Sequence, residues 1–123
     1  MSDFEDQSMS RLSAHVSVAY AALATACAIL PVPVTLPTGT VSNVEAAPAV
    51  ARAMDLVQDQ PMPEEQQAQI FAACAFWLAA LDLYGLLVKE GFTRARAHST
   101  AANLLMAEDQ LGDMLAWLRE QKQ

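Results

Sequence analysis

The sequence is short of cations, glycine and cysteine, and each shortage closes off a class of protein. Seven Lys plus Arg face fourteen Asp plus Glu, a net charge of −7. A polyanionic partner is repelled over most of such a surface, so nucleic-acid binding is not expected. The nearest thing to a basic patch is Lys89, Arg94 and Arg96, which reads as a solvated corner between helices. The four glycines, at positions 39, 85, 91 and 112, never form a phosphate-cradling loop, which removes Walker and Rossmann nucleotide sites. Two cysteines are too few for a disulfide scaffold. Cys27 and Cys74 each sit in an alanine-rich apolar run, where a reduced, buried thiol is expected and a single disulfide is the alternative. The acidic start Met1-Ser-Asp-Phe-Glu-Asp lacks the basic flank of a secretory leader, which points to the cytoplasm.

Also missing is any Asp, Glu, Lys or Arg between Arg11 and Glu45. What fills the space is apolar: 54% of the chain is hydrophobic and only 17% charged, with 24 alanines, against about 45–50% and about 25% in ordinary domains. Disordered segments have the opposite balance. The 123 residues suit one domain spanning 1–123.

The apolar residues recur with helical, not strand, spacing. Met9, Leu12, Val16, Ala19, Leu23, Ala26 and Leu30 form one seam, and His15, Val18, Ala22, Thr25 and Ile29 a second. Pro31-Val-Pro-Val-Thr-Leu-Pro ends that helix, because proline lacks the donor and clashes with the preceding turn. Residues 31–41 are expected to form an apolar strap across a bundle. A shorter helix follows, starting between Ser42 and Pro48 and running to about Asp59. Ser42 and Glu45 have capping-box spacing, while Pro48 favours a later start.

A third helix is expected from about Pro63 to Glu90. Between Ile70 and Val88 its only charge is Asp82, so it reads as the central and most buried helix. Gly91-Phe92-Thr93 reads as a corner, with Gly91 left-handed, Phe92 stapling and Thr93 capping the next helix. In the fourth helix, about Arg94 to Glu120, the residues Ala97, Thr100, Ala101, Leu104, Ala107, Leu111, Met114, Leu115 and Leu118 lie on one face. Met106, Gln110 and Trp117 project from another side. The expected fold is therefore all-α: a compact four-helix, bundle-like domain with two long antiparallel C-terminal helices and a Pro-rich strap after the first helix.

Chemistry is hard to find in this pattern. His15 and His98 lie at no metal-ligand spacing from each other or from Cys or carboxylates, so no metal or other cofactor is expected. There is no nucleophile-elbow turn, and no catalytic residues are assigned. Asp82 amid Phe76, Trp77, Leu78, Leu81, Leu83 and Leu86 needs either a solvent-facing strip, with Ala75, Ala79 and Gly85 or Leu86 beside it, or a buried partner such as His15 or Arg11.

The leading expectation is a non-enzymatic protein of regulatory, inhibitor or adaptor type, acting by protein–protein contact or self-association. It is the kind of small acidic accessory protein found in bacteria and phages. Four helices, two of them apolar around most of their circumference, exceed what a chain this small covers alone. A homodimer would cover them, with Trp117, Met106, Gln110, Tyr20 and Asp82 as candidate contacts. A different reading is a two-pass membrane protein with spans near 13–36 and 70–88, supported by the cations that flank them and opposed by Asp82 and the prolines. A third is a bundle that binds a small ligand in a pocket lined by Tyr20, Trp77 and Tyr84.

Overall fold

The chain enters its first helix through a capping box. Ser2 Oγ accepts from Glu5 N at 3.2 Å, and Glu5 returns a carboxylate to Ser2 N at 3.3 Å. With Asp3 and Asp6, Glu5 opposes the positive end of the helix dipole. The computed structural model describes residues 2–122. Among them are four helices and no strand: α1 (Asp3–Ala28), α2 (Asn43–Val57), α3 (Glu64–Glu90) and α4 (Arg94–Glu120). α3 and α4 form the long antiparallel hairpin. α3 packs against all three other helices and α1 packs against α4, whereas α1 and α2 do not pack on each other.

The strap, residues 29–42, fills the space between α1 and α2. It buries Val34 and Leu36 and is fastened at three points. Val34 N donates to the Cys27 carbonyl at 2.9 Å, and Tyr20 OH donates to the Pro37 carbonyl at 2.6 Å. The Gln60 side chain accepts from Val32 N at 2.9 Å and donates to the Val32 carbonyl at 2.5 Å. Gln60 is itself buried, so its amide satisfies an isolated peptide group that no ladder reaches. The segment 13–36 is thus a helix to Ala28 followed by extended chain, not one continuous helix. Among the described residues, only α3 is long and apolar enough to cross a membrane.

Of the two conflicting signals at α2, the earlier one sets its start. Ser42 is the N-cap, and Pro48 lies inside the helix. The hydrogen bond Pro48 fails to make would have ended on the carbonyl of Val44, a residue 84% exposed, where water satisfies the carbonyl at little cost. At the α3–α4 corner Gly91 has positive φ, as expected, but with φ 102° and ψ 161°. That is the extended, nearly glycine-only region rather than the left-handed helical one. Thr93 Oγ1 accepts from Arg96 N at 3.2 Å. Phe92 packs onto a small cluster of Leu12, Leu87 and Ala97. Seven residues of the expected inner face of α4 are buried, from Ala97 to Leu118, while Ala101 and Leu115 at its edges are half-buried.

α3 departs from its expected role. It is central, but only eight of its 27 residues are buried, because three neighbouring helices cover one side of it and the other is covered only in part, Ala75, Leu78 and Ala79 being half-buried. Its outward strip exposes Ala68, Phe71, Asp82, Gly85 and Leu86. The second seam of α1 is uncovered in the same way, with Val18 and Ile29 exposed.

Candidate functional site

Where the strap holds α1 and α2 apart, it leaves an open cleft of about 480 Å³. α1 forms one wall, from Val16 to Ile29. The strap tip at Thr38–Val41 and the first turns of α2 form the other, and Trp77 of α3 is the floor. Trp77 is fully buried and aimed by its own polar atom, Nε1 donating to the Val16 carbonyl at 3.1 Å. The Tyr20 ring lies 5.2 Å from it at an interplanar angle of 47°, a tilted contact of the kind aromatic pairs favour. Burial pushes the Tyr20 phenol above its ordinary value, with smaller upward contributions from Cys27 and Glu45. No charged side chain lines the cleft. Ser17, Thr38 and Asn43 lie exposed along it.

The other titratable groups are dispersed. His15 Nε2 pairs with Glu108 Oε1, joining α1 to α4. Asp82, for which His15 or Arg11 was the candidate buried partner, is instead exposed on the outward strip of α3. The carboxylate that reaches His15 is the one at the edge of the α4 core face. His98 is exposed, and Arg96 pairs with Glu90 at 3.3 Å. Cys27 and Cys74 are free, fully buried and in contact across α1 and α3. The hydrogen bond Cys74 shares with Cys27, together with burial, pushes the Cys74 thiol strongly up. No group of three or more metal-ligating side chains comes together among the described residues.

The residues expected to make contacts do not form one surface. Met106, 41% exposed, and the half-buried Gln110 and Trp117 share a flank of α4. Trp117 was expected to be uncovered there, but it packs against the main core, since a large ring buries area well away from its own Cα. Tyr20 belongs to the cleft and Asp82 to the outer strip. Tyr84, expected beside Tyr20 and Trp77, lies instead over a separate shallow depression with Met9 and Ser13. Sequence periodicity passed over Ser17, Thr38, Asn43 and Gln60, because single polar residues in loops and on helix flanks carry no spacing signal. No family model, curated protein or solved structure matches the chain.

Proposed function

We propose that this protein acts without catalysis, by protein–protein association of regulatory or adaptor type, and that the outward face of α3 takes a second copy of the chain. The observation that carries the reading is the partly uncovered strip of the most apolar helix, where Phe71 and Leu86 are each 36% exposed and Asp82 is the only charge between Glu65 and Lys89. The accessible surface, 7036 Å², exceeds the roughly 6,450 Å² that a 13.3 kDa monomer is expected to present. That excess of roughly 600 Å² per chain, counted on two chains, reaches the lower bound of specific interfaces, about 1,200 Å². A parallel arrangement would bring two Asp82 carboxylates together, so the two α3 helices are expected to run antiparallel. The isolation of His98 and the sealing of both thiols in the core also favour a binding role.

Size-exclusion chromatography with light scattering tests this. The expected mass is twice 13.3 kDa at micromolar concentration, falling to one chain in Phe71→Glu with its helical content retained. A strict monomer at every concentration overturns the proposal.

A further inference from the structure

We propose that the cleft between α1 and the strap is a binding site for a neutral, mainly apolar small molecule with one hydrogen-bonding group. The inference is independent of the association of copies. At about 480 Å³ the cleft falls within the range of small-molecule sites, about 300–1,000 Å³. Its chemistry narrows the occupant in three ways. With no charged lining residue, an ion entering the cleft loses hydration and gains no counter-charge, so the ligand is neutral. Trp77 Nε1 and Tyr20 OH are already committed to the carbonyls of Val16 and Pro37. Trp77 lies fully buried beneath Tyr20, so the cleft wall presents the Tyr20 ring together with Ala21, Ala24 and Ile29, which selects a mainly apolar body. The side chains of Ser17, Thr38 and Asn43 at the edge are exposed and make no hydrogen bond among the described residues, so the single polar group of the ligand points outward to them. Tyr20 makes the site dependent on the strap, because its hydroxyl holds the strap at Pro37.

N-phenyl-1-naphthylamine has this chemistry, and 8-anilino-1-naphthalenesulfonate is the same skeleton carrying a charge. In a Trp117→Phe background Trp77 is the only remaining tryptophan, so its fluorescence reports on the cleft floor. The neutral probe is expected to quench it saturably, at one site per chain, with Kd on the order of 10 µM. The sulfonate should bind at least about tenfold more weakly. Ala21→Phe fills the cleft from an exposed helix position and should weaken the neutral probe at least about tenfold, a loss of the size expected for a filled pocket. Ala102→Phe, on the exposed side of α4, should leave its binding unchanged, and thermal melts establish that both variants fold. Absence of saturation, equal affinity for the two probes, or indifference to Ala21→Phe overturns the proposal. So does probe binding that falls as protein concentration rises and the mass doubles, which would assign the cleft to a second copy.

Discussion

Tyr20 does two jobs with one side chain: its ring covers Trp77 and its hydroxyl anchors the strap. Losing that hydrogen bond in Tyr20→Phe should cost about 1 kcal/mol at neutral pH. The phenol is pushed up in the folded state, above its ordinary 10.0, so the fold favours the protonated form. The contribution is fully present below the unfolded value and is lost as pH rises through the folded one. The stability gap between the wild type and Tyr20→Phe should therefore narrow from pH 8 to pH 11. Thermal melts across that range check it, and a gap that stays constant would contradict the burial of the phenol. The thiols give a second residue-scale expectation. Cys74 is held protonated, and although its hydrogen bond pulls the Cys27 thiol down, both sulfurs are fully buried, out of reach of a reagent. Neither cysteine should react with Ellman's reagent within minutes in the native protein at pH 8, and both should react once it is unfolded in guanidinium.

At the scale of elements, local rules and packing act separately at the α3–α4 corner. A Cβ at Gly91 would meet no atom within 4 Å, so Gly91→Ala carries no steric clash and only the strain of φ 102°. The expected loss is about 1–3 kcal/mol. Thr93→Ala removes the cap on Arg96 N and should cost about 1 kcal/mol. Urea denaturation separates the two, and a larger loss for Thr93→Ala than for Gly91→Ala would show that the corner is set by capping alone. Pro48 makes the complementary point. Pro48→Ala restores the missing donor toward Val44 and should stabilise α2 by about 1 kcal/mol, read in the same experiment.

For the whole molecule, the governing quantity is how much apolar surface four helices leave uncovered. If a second copy covers α3, folding and association are linked by mass action. The melting temperature should then rise by about 5 °C for a hundredfold increase in concentration. Phe71→Glu should abolish that dependence, and differential scanning calorimetry at two concentrations checks it. The net charge of −7 opposes the approach of two copies, so moderate salt is expected to strengthen association, provided the interface is the apolar strip and not an ion-pair network.

The sequence alone determined the four helices, the inner face of α4, the strap and the Gly91–Phe92–Thr93 corner. Capping, proline geometry and periodicity act over a few residues and need no distant partner. The capping box of Ser2 and Glu5 has an equally local cause, but the apolar seam that marks α1 does not reveal it. Only the tertiary structure decided that His15 meets Glu108 and not Asp82, that Cys27 lies against Cys74, and that Tyr20 joins Trp77 without Tyr84. It also decided that α3, apolar nearly all round, is fully covered on one side only. Periodicity places a residue on a face of its helix, but whether that face meets a neighbour, a cleft or water depends on how many helices surround it. Here the length and fastening of the strap keep α1 from packing on α2, and that separation is what opens the cleft.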